Sequence, residues 1–209
     1  MDSHEALIEK LSRSAAPIKR TLPVRWRVVS WVLLALPTGA LASLLLQRTA
    51  TDWSQPGAAW AMAQLGLAFT FGLLAINAAF TLSIAGRRTL NMRWLMVLAM
   101  VWLGSVLVNI GHPPLSASSL HDTHCYTFMV TVSVPMVALV IGYLRRTRTL
   151  NPLRSLALSG TGVAAMALAL LTFCHTVHLH PEDFLMHLAA IVTIIGATVA
   201  LGWRWVSAY

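Results

Sequence analysis

The chain has 209 residues, 57% hydrophobic and only 11% charged, with a formal net charge of +8 and a mean hydropathy of +0.69. Soluble domains carry roughly 25% charged residues, so this composition excludes an ordinary soluble globular protein, a disordered chain and a collagen-like fibre. Two cysteines are too few for a disulfide framework.

Residues 1–24 are polar but periodic. Leu7, Leu11, Ala15, Ile18 and Leu22 recur at intervals of three or four, which is one face of a helix. Pro17 predicts that the helix ends or kinks near Ala15. The apolar face suits a short helix that docks in a partner's groove, with Leu7, Ile8, Leu11, Ala15 and Ile18 as contacts. It equally suits a helix lying on an anionic lipid surface, which Lys10, Arg13, Lys19 and Arg20 favour.

Six apolar runs follow, at about 28–47, 58–86, 94–111, 125–144, 155–173 and 184–203. Each meets or approaches the roughly 20 residues that a bilayer-spanning helix needs. Ala40-Leu41-Ala42 has the small-residue spacing of a signal-peptide cleavage site. The apolar run continues through Leu44, Leu45 and Leu46, so the segment reads as a span. The expected fold is all-α: a polytopic membrane protein of six transmembrane helices arranged as three hairpins. Residues 1–27 form an N-terminal amphipathic segment and 28–205 the membrane domain. Fourteen of the fifteen Lys and Arg residues fall before the first run, in alternate connections, or at the end of the sixth; only Arg48 falls between. The positive-inside rule then predicts that both termini are cytoplasmic.

The opposite connections collect a different chemistry. The third and fourth runs are joined by a loop holding His112, His121, Asp122 and His124, with Cys125 at its end. The fifth and sixth are joined by Cys174, His175, His178, His180, Glu182 and Asp183, and His187 follows one turn into the sixth run. Imidazole and thiolate suit zinc, copper and other soft transition-metal ions. On helical stretches His121 with Cys125, Cys174 with His178, and Asp183 with His187 would each share a face. Cys125, Cys174, His121, His124, His175, His178, His180, His187, Glu182 and Asp183 are therefore the candidate ligands of an ion that ties two hairpins together. The plainer readings are polar loop histidines, buried structural cysteines, or one Cys125–Cys174 disulfide in an oxidising compartment. No phosphate loop, nucleophile elbow or CxxC occurs, so no enzyme activity and no organic cofactor are expected.

The sequence resembles the negative regulator of sigma F (NrsF) family of bacterial inner-membrane anti-sigma factors. The resemblance runs from Leu7-Ile8 with Leu11 and Pro17-Ile18 through six spans. In the second half it rests on Cys125, Pro135, Arg145-Arg146, Pro152 and Ser159-Gly160-Thr161-Gly162. It continues through Cys174-His175, Pro181-Glu182-Asp183 and Leu201-Gly202-Trp203-Arg204-Trp205. Two features depart from the family pattern: the Cys/His order at Cys174-His175, and the added His178 and His180. The resemblance implies that the N-terminal segment sequesters an extracytoplasmic-function sigma factor, with no direct contact to nucleic acid. It also implies release when a heavy metal or oxidant acts at Cys125 and Cys174 in the periplasm. The competing expectations are an inner-membrane metal transporter or metal chaperone, and a membrane thiol-redox protein. The spans hold Gln64, Asn77 and Asn109 but no acid, which argues against ion translocation.

Overall fold

The computed structural model describes residues 2–14, 22–47, 49–84, 86, 92–110, 125–147, 149–174 and 181–207. Among these residues seven helices form: α1 Asp2–Ser14, α2 Val24–Ser43, α3 Ala58–Leu82, α4 Met92–Ile110, α5 Cys125–Arg145, α6 Pro152–Leu171 and α7 Pro181–Val206. Among the described residues there is no strand, only an isolated bridge between Thr149 and Ser207. Helices α2 to α7 are each long and apolar enough to cross a membrane, so the chain is an all-helical, multi-pass membrane protein.

The helix ends follow local chemistry. Pro23 precedes α2, which therefore starts four residues ahead of the apolar run and carries Arg25 and Arg27 within it. The C-terminal leucines of that run, Leu44–Leu46, leave the helix as a turn. Gly57, at φ +99°, supplies the left-handed residue that opens α3. Pro181 begins α7, and Glu182 and Asp183 occupy its first turn, where the helix dipole favours acids.

Packing crosses the expected hairpins. Helix α3 lies chiefly on α6, α2 on α5, and α7 on both α5 and α6, while α4 packs mainly on α3. Helix α6 is the most enclosed span, with 61% of its apolar window buried, and α4 the least, with 11%. The sequence of α6 explains its place. Ser155, Ser159, Gly160, Gly162, Ala164, Ala165, Ala167 and Ala169 are all buried, and small residues let membrane helices approach closely. Gly162 faces Gly72 of α3; a Cβ on either would come within 3.1–3.2 Å of the other's carbonyl oxygen. Gly160 faces α7, where a Cβ would stand 2.9 Å from the Cα of Ile195. The hydroxyl of Ser155 donates to the carbonyl of Ala79 at 3.1 Å, a polar tie between α6 and α3.

The two ends of the bundle are built differently. At one end Arg27 of α2 reaches α3 and α5, and Arg145 lies 4.7 Å from the ring centre of Trp205 on α7. At the other, the loop between α2 and α3 is tied to the end of α6. There Thr51 donates its hydroxyl to the Thr172 carbonyl at 2.8 Å, and Trp53 packs edge-on against Phe173. The first turn of α2 and the last of α7 therefore lie at the same end.

Candidate functional site

Cys125 is the first residue of α5 and Asp183 the third of α7. The Cys125 thiol donates to Oδ1 of Asp183 at 3.9 Å, so one candidate ligand from each of the two histidine-rich connections comes together. Both elements are fixed there. Tyr126 Oη and Thr193 Oγ1 share a hydrogen bond of 3.2 Å between the same two helices. His187 follows Asp183 by one helical turn, on the same face, and is buried. Cys174 closes the turn after α6, its amide donating to the Leu171 carbonyl at 2.8 Å. Cys125 and Cys174 are both 5% exposed and belong to one continuous apolar core cluster, and no disulfide joins them. Glu182 stands exposed beside Asp183.

His121, His124, His175, His178 and His180 lie outside the described residues. Among the described residues no group of three or more His, Cys, Asp and Glu side chains forms a metal-binding set. The donors that are placed remain chemically apt for a soft ion: two buried thiols, a carboxylate against one of them, and an imidazole one turn on. Burial limits both solvent and reagents at the thiols, so their reactivity reports opening of this end.

The neighbouring loop is anchored separately. The amide and hydroxyl of Ser54 donate to Oδ1 of Asp52 at 3.0 and 2.6 Å. The Ser54 hydroxyl, then its amide, hold the Asp52 carboxyl below its ordinary range. Asp52 is engaged in this turn and is distinct from the thiol site.

The N-terminal contact residues are placed in part. Helix α1 exposes Leu7 at 53%, Ile8 at 66% and Leu11 at 61%. Its side-chain bonds are internal, including an ion pair from Arg13 to Glu9 at 2.6 Å. Ala15 and Ile18 lie outside the described residues.

One polar cluster is not evident from residue types alone. Arg27 is 4% exposed. It donates to Ser83 Oγ at 3.2 Å, to the Tyr143 carbonyl at 3.2 Å and to Thr147 Oγ1 at 3.5 Å. Its guanidinium carbon lies 4.7 Å from the centre of the Phe80 ring. The signal was in the helical period. Val24, Arg27, Val28, Trp31, Ala35, Gly39 and Ser43 form one stripe, and that stripe is the buried face of α2. Compared with protein-family models, curated proteins and solved structures, the chain matches none of them.

Proposed function

We propose that this chain is a bacterial inner-membrane anti-sigma factor of the kind found in the NrsF family, with both termini cytoplasmic. Helix α1 holds an extracytoplasmic-function sigma factor at the membrane through Leu7, Ile8 and Leu11. The periplasmic end, built on Cys125, Cys174, Asp183 and His187, senses heavy metal or oxidant and weakens that hold. The observation that carries this reading is the contact between Cys125 and Asp183. It brings a soft donor and a hard one, from two separate connections, onto a single helix–helix junction. The exposed apolar face of α1 supports the docking role, because helix-in-groove recognition uses such i, i+4 anchors.

The residues give the switch a physical form. Zinc, copper or a similar soft ion, when bound, supplies Lewis acidity that displaces thiol protons and draws donors together. Cys125, Cys174, Asp183 and His187 would hold it, with Glu182, His121, His124, His175, His178 and His180 supplied from the connections. Once the Cys125 thiol loses its proton it can no longer donate to Asp183, so the α5–α7 junction must be remade. An oxidant that consumes the same thiol removes the same donor. Such a signal shifts the protein only by as much as it favours one arrangement over the other.

The test is transcription from a promoter dependent on the partner sigma factor, after addition of cadmium chloride or hydrogen peroxide. The Cys125→Ser/Cys174→Ser protein should lose an induction of about tenfold or more. A normal induction curve in that variant would remove the thiols from the sensing role.

A further inference from the structure

Among the described residues Arg27 is a buried charge with neutral partners only. Each acceptor it reaches is neutral: a serine hydroxyl, a backbone carbonyl and a threonine hydroxyl, with the face of Phe80 beneath. The seven acidic side chains sit in α1, at Asp52, at Asp122 and in the first turn of α7; none belongs to α2, α3 or α5. Removing a charge from water is costly, and neutral acceptors with one aromatic face recover only part of that cost. One turn deeper on the same face, Trp31 is fully buried and its Nε1 has no hydrogen-bond acceptor among the described residues. Arg27 is also the fourth residue of α2, within reach of the helix end, and arginine side chains near helix ends snorkel readily to the interface. The guanidinium is held among α2, α3 and α5, and the alternative open to a side chain this near the helix end is withdrawal toward water.

The held arrangement is a closed circuit. Arg27 of α2 bonds Ser83, just past α3, and lies over Phe80; Phe80 stacks on Tyr143 of α5 with ring centres 5.7 Å apart. The Tyr143 hydroxyl returns to α2, donating to Ser30 Oγ at 2.9 Å. Helix α5 makes this circuit more than a local clasp. It runs as one element from Cys125, against Asp183, to Tyr143, whose carbonyl accepts from Arg27, a distance of ~27 Å at 1.5 Å per residue. The helix stays continuous through Pro135, so a rigid shift of α5 at one end would move an acceptor of the clamp at the other. The helix that carries Arg27 is also the one the N-terminal segment leads into.

We propose that Arg27 is a positioning latch, which couples the thiol end of α5 to the first turn of α2 through the Arg27–Ser83–Tyr143–Thr147 clamp. The held state corresponds to a closed thiol end and the withdrawn state to an opened one. The coupling between the two ends stands on contacts within the bundle. Its consequence for a bound sigma factor rests on the function proposed above.

Because coupling between sites is reciprocal, altering the clamp should change the distant thiols. The full-length protein in lipid vesicles is treated with a charged maleimide, and alkylation of native Cys125 and Cys174 is followed by mass. Arg27→Met fills the site without a charge and should lock the closed state, slowing alkylation by about fivefold. Arg27→Glu should be expelled and speed it by a similar factor. If Arg27→Glu does not fold, Ser83→Ala/Thr147→Val, which keeps the arginine and removes two acceptors, should also speed it. Opposite shifts in variants of unchanged helix content support the latch. Wild-type rates in the folded variants would overturn it. So would rates that rise in every variant in step with a falling melting temperature, which would make Arg27 structural only. Neither readout involves a sigma factor or a metal. A failed docking or induction experiment would therefore sink the proposed function and leave this result standing.

Discussion

At the scale of single residues, Asp52 is held by a near neighbour and Arg27 by partners far along the chain. Asp52 and Ser54 are two apart, and their turn is local. The lowered Asp52 carboxyl makes a signed prediction. Its bonds to Ser54 are complete at neutral pH and weaken as the pH falls through the depressed value, because the folded form loses its acceptor on protonation. A carboxyl titration followed by NMR should place Asp52 below a free aspartate, and Ser54→Ala should move it back up. An unchanged midpoint in Ser54→Ala would rule out this cause. Arg27 shows the opposite case. Counted by side, it is one of fourteen orienting cations; counted by helical period, it lies on the buried stripe of α2. Its partners, Ser83, Tyr143 and Thr147, lie 56 to 120 residues away, and no local pattern selects them.

At the scale of elements, run length and apolarity were enough to locate six membrane helices, because lipid leaves the backbone few other options. Adjacency in sequence forecast the α6–α7 hairpin, but not the main partners of the other spans. Apolar side chains lack the charge or hydrogen-bond pattern that would choose one neighbour over another, so the cross-hairpin contacts α2–α5 and α3–α6 emerge only in three dimensions. The small-residue run Ser159-Gly160-Thr161-Gly162 suits close helix approach but names no partner. The structure assigns Gly160 to α7 and Gly162 to α3. Gly160→Ala should therefore lower stability by about 1–3 kcal/mol, since the new methyl meets backbone that cannot step aside. Gly196→Ala, where nothing lies within 4 Å, should be neutral or gain about 0.5–1 kcal/mol from helix propensity. Reversible unfolding in mixed micelles compares the two. Equal losses at both positions would contradict the packing described for α6.

At the scale of the whole molecule, the chain places unlike chemistry at its two ends. One end holds two buried thiols, with a carboxylate against one of them, and the other a buried arginine circuit that leads into an N-terminal helix with an exposed apolar face. The residue inventory of both ends was visible in the sequence. The Cys125–Asp183 junction was not, because it depends on how α5 and α7 meet. In the proposed function, the two ends are joined by a sigma factor that α1 retains. Its direct measurement is affinity purification of the full-length protein from native bacterial membranes, with co-purifying proteins identified by mass spectrometry. The wild-type protein should bring down an extracytoplasmic-function sigma factor. Leu7→Asp/Leu11→Asp, which places charge on the docking face while leaving the bundle intact, should lose it by tenfold or more, the effect of roughly 1.4 kcal/mol or above. Undiminished recovery of the sigma factor with that variant, or none with the wild type, would contradict the account.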